Sequence, residues 1–149
     1  GMGGMVSDVD TYGNFHLTGF DYGTARDWAR YGLLHLNKGI WEGEQIVSKA
    51  FVEASGQPAP VWSKGEYKDV QEHKYYYGAT HWLNGRGAFP TLPKDAYFPL
   101  GFSENYAFIV PSQDLVIVLL RLTNEKYDEA ETNEVVKLLT TGLGISVGK

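Results

Sequence analysis

Apolar positions first recur at helical spacing at Ala25, Trp28, Ala29, Leu33 and Leu36, a stripe wide enough for one helix face to cover a core. The stripe opens at Thr24 with Asp27 three residues on. In that pairing the hydroxyl accepts from free backbone N–H groups while the carboxylate reaches back. Asn37-Lys38-Gly39 ends the helix with a residue that tolerates positive φ. Trp41-Glu42-Gly43-Glu44-Gln45 reads as a tight hairpin, and Ser48 caps a short helix through about Ala54 that Gly56 and Pro58 stop. Lys74 to Leu83, rich in Tyr and Trp and followed by Asn84-Gly85, predicts a strand and its turn, and Asn105 to Val110 predicts another strand. Leu115 to Leu120 is apolar at every position, the pattern of a central strand covered on both faces. Asp128 with Glu131 predicts a second capping box, opening a helix whose apolar side is Val135, Val136, Leu138, Leu139 and Leu143.

Turn formers fill the gaps: six glycines in residues 1 to 23, a Pro- and charge-bearing excursion over 56 to 72, and a Pro/Gly-rich loop from 85 to 99. One antiparallel meander backed by helices is the economical arrangement, hence α+β, an antiparallel sheet flanked by helices. The 149 residues fit one domain, divided into loop and hairpin at 1–23, a helical part at 24–55, and strands with a closing helix at 56–149. Thirteen Lys and Arg against eighteen Asp and Glu, with no cationic cluster, argue against nucleic acid as a partner. The absence of Cys removes thiolate nucleophiles, disulfides and Cys-ligated zinc. The longest apolar run, Leu115 to Leu120, is far short of the ~20 residues of a membrane span. The first residues have no basic region or apolar core of the export type, and the compartment stays open.

Catalytic patterns are scarce. His16, His35, His73 and His81 have no metal-ligand spacing and read as surface or strand-face residues, and the paired carboxylates lack the calcium-loop pattern, so no metal or cofactor is implied. Tyr75, Tyr76, Tyr77 and Trp82 fit either a stacking groove for a sugar or acyl group or a strand packed on both faces.

The stretch Thr24-Ala25-Arg26-Asp27-Trp28-Ala29-Arg30-Tyr31-Gly32-Leu33-Leu34-His35-Leu36-Asn37-Lys38-Gly39-Ile40-Trp41-Glu42-Gly43 strongly resembles the T-A-R-D-x-A-R-[FY]-G-L-L-x-L-x-x-G-x-W-x-G pattern of beta-lactamase-related serine hydrolases. That family includes class C beta-lactamases, D-Ala-D-Ala peptidases, esterases and 6-aminohexanoate-oligomer hydrolases. Tyr77-Gly78 to Trp82-Leu83-Asn84, Asp95 to Gly101, and Tyr106 to Val116 resemble later parts of it in order.

The resemblance implies the C-terminal portion of such an enzyme, cleaving amide or ester bonds by acyl transfer in which a Ser hydroxyl attacks a carbonyl, Lys and Tyr move its proton, and backbone N–H groups hold the oxyanion. In the family the Ser-x-x-Lys nucleophile and the Tyr of a Y-x-N motif precede this region, so the chain is expected to be inactive alone. Ser146-Val147-Gly148-Lys149 and Tyr12-Gly13-Asn14 match those motifs formally. The first is the chain's last four residues and the second lies in a Gly/Asp turn, so both read as chance.

The resemblance places the family's K-T-G motif at Pro99-Leu100-Gly101, where only the Gly is kept, and implies the Phe102 backbone N–H as oxyanion donor; for the chain by itself, a bend or close strand approach is the simpler account of Gly101. Ser103-Glu104-Asn105 stands where G-G-Q or D-G-Q is usual, which makes Glu104, with Tyr77 and Trp82, a candidate substrate contact. The implied partner is a small-molecule or peptide-like substrate. A partial domain leaves apolar sheet surface uncovered, which predicts a homo-oligomer. Two other readings are a non-catalytic binding or assembly module with an aromatic groove over 75–82 and 85–99, and an unrelated small enzyme built on His81, Asp95 or Glu104.

Overall fold

The computed structural model describes residues 1–16, 19–63, 76–122 and 128–145. His73, Tyr75 and Ser146-Val147-Gly148-Lys149 lie outside them. A two-stranded ribbon of β1 (Val6–Ser7) and β2 (Asp21–Tyr22) leads to helix α1 (Ala25–Leu36). A second ribbon, β3 (Ile40–Trp41) and β4 (Glu44–Gln45), leads to α2 (Lys49–Ser55). One antiparallel sheet follows, built from β5 (Tyr76–Tyr77), β6 (Trp82–Leu83), β7 (Tyr97–Phe98), β8 (Leu100–Gly101), β9 (Asn105–Val110) and β10 (Leu115–Leu119); α3 (Glu129–Gly142) comes after it. The strands run in the order β10-β9-β7-β6-β5, with β8 continuing the β7 line along β9 beyond Pro99, which has no N–H to give a ladder.

Caps set the helix ends as their chemistry dictates. Thr24 Oγ1 accepts from Asp27 N while Asp27 accepts from Thr24 N, and Ser48 accepts from Phe51 N. The Trp41–Gln45 hairpin forms with Gly43 at φ 86°.

The sheet separates two apolar layers. On one face Leu83, Tyr97 and Ile109 pack with Leu36 of α1. On the other, Phe98, Tyr106, Phe108, Val110 and Ile117 pack with Val136 of α3. The rings of Phe89, Phe98, Tyr106 and Phe108 meet there at centroid distances of 4.8 to 5.6 Å.

Five expectations are corrected, the first being the loop over 85–99, whose end is the buried strand β7 paired with β6 and β9. The inward side of α1 carries Gly32 and His35 with Trp28 and Tyr31 half-buried, while Leu33 is exposed. Gly32 decides this: a Cβ there would stand 2.6 Å from Val116 Cγ1, so its bare backbone is what lets the helix lie close on β10. On α3, Thr132, Val136 and Thr140 face inward while Leu138, Leu139 and Leu143 face out. The threonines are buried without penalty because their hydroxyls are bonded, Thr140 to the Val136 carbonyl and Thr132 to Glu104. The run from Leu115 forms the sheet's edge among the described residues, and its neighbour β9, paired on both sides, is the strand buried from Tyr106 to Val110. The aromatic segment ending at Leu83 is a hairpin of β5 and β6, and just after β5 Gly78 passes so close to α2 that a Cβ would meet the Ser55 carbonyl at 2.4 Å.

Candidate functional site

Gly101 and Phe102 sit where β8 ends and turns into β9, with Gly101 opposite Asn105. Phe102 is 89% exposed, and β8 pairs with β9 alone, so its other edge is open among the described strands. The turn holds Ser103 at φ 59° and Glu104 at φ 60°, consecutive left-handed residues that cost ~1–2 kcal/mol each without glycine. Local bonds offset that strain. Asn105 Nδ2 donates to the Phe102 carbonyl at 2.6 Å, and Asn105 Oδ1 accepts from Arg121 N at 2.7 Å.

Glu104 is only 7% exposed and faces inward. Its carboxylate accepts from the Arg121 guanidinium at 3.0 Å, the Asp128 backbone N–H at 2.9 Å and the Thr132 hydroxyl at 3.2 Å. Asp128 Oδ1 caps α3 by accepting from Ala130 N and Glu131 N. The reciprocal half of the expected capping box comes from Glu104, 24 residues away, rather than from Glu131. Glu131 instead approaches Arg121 at 3.6 Å.

The aromatic candidates lie elsewhere. Tyr77 opposes Trp82 and Trp82 opposes Phe98, and Trp82 packs on the core shared with α3. Leu100 packs on that same core, so alternation along β8 puts Gly101 on the opposite face. The rings of Tyr77 and Trp82 meet edge to face at 4.8 Å, and the Tyr77 hydroxyl donates to the Thr80 carbonyl. The two rings are thus used on each other, with Trp82 also on the core while Tyr77 stays exposed.

Sequence reading missed a buried polar cluster under α1. His81 is fully buried, its Nε2 2.9 Å from the Tyr31 hydroxyl and its Nδ1 2.8 Å from the Thr80 hydroxyl. His35, 4% exposed, lies edge-on to it at 4.7 Å, and its Nδ1 is buried with no hydrogen-bond partner among the described residues. Burial pulls His35 down to about 4, and burial with the neighbouring His35 pulls His81 down to about 3. Burial likewise raises Tyr31 well above its ordinary value and Tyr97 to about 12. Burial thus favours the uncharged form of both imidazoles, which suits them to packing. Only the helical i, i+4 spacing of Tyr31 and His35 hinted at a shared face.

His81, Asp95 and Glu104 do not converge, since Asp95 is taken by the backbone N–H and hydroxyl of Ser112 and Glu104 by Arg121. Tyr12-Gly13-Asn14 is a turn closed by Asp10, which accepts from the backbone N–H groups of Tyr12 and Asn14, leaving Tyr12 88% exposed. The Ser7, Ser48, Ser55 and Ser112 hydroxyls are occupied with Asp21, the Phe51 N–H, the Phe51 carbonyl and Asp95. Among the described residues no group of three His, Asp or Glu side chains is placed to hold a metal ion, and no helix is long and apolar enough to cross a membrane.

No protein-family model matches the chain, and no curated protein matches it. Among solved structures it is similar to a putative 6-aminohexanoate-dimer hydrolase from Bacillus anthracis, with 20% identity and a TM-score of 0.68. The match covers 93% of this chain and 34% of that one, so the chain spans about a third of that protein's length. Sheet, flanking helices and this likeness agree: the chain has the α+β fold expected of the C-terminal part of a beta-lactamase-like domain.

Proposed function

We propose that the chain forms the oxyanion wall of an acyl-transfer site for amide or ester bonds, with the attacking serine and its lysine supplied from outside these residues. The observation that carries this reading is the β8–β9 hairpin: a strand end with an open edge, a glycine where a substrate backbone must approach, and the Phe102 amide just beyond it. An open strand edge offers backbone N–H and C=O groups to an extended amide, and a fixed N–H at its end suits the oxygen of a tetrahedral intermediate. Glu104 serves that wall from behind, by fixing the turn. The fold likeness supports the placement of this hairpin in a hydrolase-like frame. The chain alone is then expected not to turn over a chromogenic beta-lactam or a p-nitrophenyl ester. Turnover that disappears in Ser146→Ala overturns the proposal.

A sharper experiment uses a longer chain in which a Ser-x-x-Lys segment precedes residue 1. There Phe102→Pro, which deletes one N–H, lowers kcat by about 10²–10³-fold, the usual effect of losing one oxyanion donor. Phe102→Ala keeps the N–H and keeps the rate. Equal rates for the two variants, both folded, remove Phe102 from the mechanism.

A further inference from the structure

Gly101 is not demanded by the chain's own packing. Its φ is not left-handed, and a Cβ there would meet Asn105 at ordinary distances of 3.6 and 3.8 Å, in contrast to 2.6 Å at Gly32 and 2.4 Å at Gly78. A glycine inside a strand weakens it, so the bare backbone at this point is room left for something outside the described residues to approach. Next to it, the ring of Phe102 is 89% exposed, whereas Phe98 and Phe108 of the same sheet are fully buried. The bonds of Glu104 and Asn105 fix the left-handed turn that follows, so this outward ring stands on a braced support; strained backbone of that kind collects at ligand contacts. Charge is the third observation. From Tyr97 to Leu122, the stretch that carries β7 to β10, the sequence holds one basic residue, Arg121, and its guanidinium is already used by Glu104 at 3.0 Å and Glu131 at 3.6 Å. Those strands offer no uncommitted cation.

We propose that the acyl group taken by this wall is uncharged and apolar, its body lying on the Phe102 ring and coming up to the strand at bare Gly101. This assignment names the substrate class of the acyl-transfer site and rests on that reading. An aromatic or aliphatic body gains contact with the ring, whereas a body bearing a carboxylate loses hydration there with no cation to meet it.

The test is an NMR titration of the whole chain with phenylacetamide, following the backbone N–H signals of Gly101 and Phe102. The expected result is a saturable shift of both, with Kd on the order of 10 mM, the strength of a single wall. Acetamide, which lacks the ring, and 4-(carbamoylmethyl)benzoate, the same amide with a carboxylate on its ring, each bind about tenfold more weakly. Phe102→Ala weakens the binding of phenylacetamide about fivefold, the range of one aromatic contact. Gly101→Val keeps the urea midpoint of the parent and loses the shift at Phe102. Absence of a saturable shift up to about 30 mM phenylacetamide, equal affinity for acetamide or for the carboxylate-bearing amide, or undiminished binding in Phe102→Ala or in folded Gly101→Val each overturns the assignment. Failure of the acyl-transfer reading looks different: the ring selects as stated, but Phe102→Pro and Phe102→Ala have equal rates in the longer chain, and only a ligand contact remains. Unequal rates there without selection by the ring remove the substrate class and leave that reading standing.

Discussion

His81 spends both ring nitrogens on hydrogen bonds inside a site closed to water, and His35 is nearly as deep, so acid acts on this chain through two imidazoles that the fold keeps neutral. Both have folded values below the ordinary one, so the unfolded chain binds more protons whenever the pH is under about 6.5. Stability is then fully present above that value and is lost as pH falls toward 4 and 3. Unfolding free energies from urea melts between pH 7 and 4 are expected to drop, and the midpoints with them, with a slope approaching ~1.4 kcal/mol per pH unit for each histidine. His81→Gln flattens that slope, and a pH-independent midpoint in the parent refutes the account. Gly32→Ala pushes a methyl group into Val116 and is expected to cost about 1–3 kcal/mol, with Val116→Ala restoring part of it; additive losses in the double variant count against the close approach. The caps at Thr24 and Ser48 were legible because a cap needs only neighbours in sequence. Burial of His35, His81 and Asn84 was not, since their partners come from distant segments or, for Asn84, from the carbonyls of Phe89, Leu92 and Pro93 in a loop with no pattern of its own.

The turn between β8 and β9 and the first turn of α3 share one carboxylate, so the two elements are expected to loosen together. Glu104→Ala leaves the Asp128 N–H and Thr132 hydroxyl without their acceptor and Arg121 with only Glu131, which sets the loss at about 2–4 kcal/mol. Amide exchange should accelerate jointly at 102–105 and 128–132; acceleration at one alone denies the link. Helix and strand existence were readable from periodicity and composition, and the strands came at Asn105 and Leu115 as expected. Which side of a helix faces inward was not readable, because a glycine, two threonines and a histidine took core positions that apolarity assigned to leucines. The edge position of β10 was hidden for a similar reason: helices cover both of its faces, which yields the same unbroken apolar run that a central strand has.

Over the whole of the described chain, exposed apolar side chains are widely spread, and two groups of them share one element each. Val6, Val9, Phe15, Phe20 and Tyr22 stand on the first ribbon, and Leu138, Leu139 and Leu143 along α3. Contiguous exposed apolar area of this kind marks contact surfaces, so the purified chain is expected to self-associate at micromolar concentration in gel filtration or sedimentation. Leu138→Glu with Leu143→Glu should shift it toward monomer, and a monomeric parent discards the expectation. The α+β architecture could be read from the ordered resemblance and the alternation of elements, and the place of Gly101 and Phe102 at a strand end from motif order. One feature ties these scales into a single mechanical piece. Through Glu104, a partner that docks on the outer leucines of α3 is expected to change amide exchange in the β8–β9 turn without touching it.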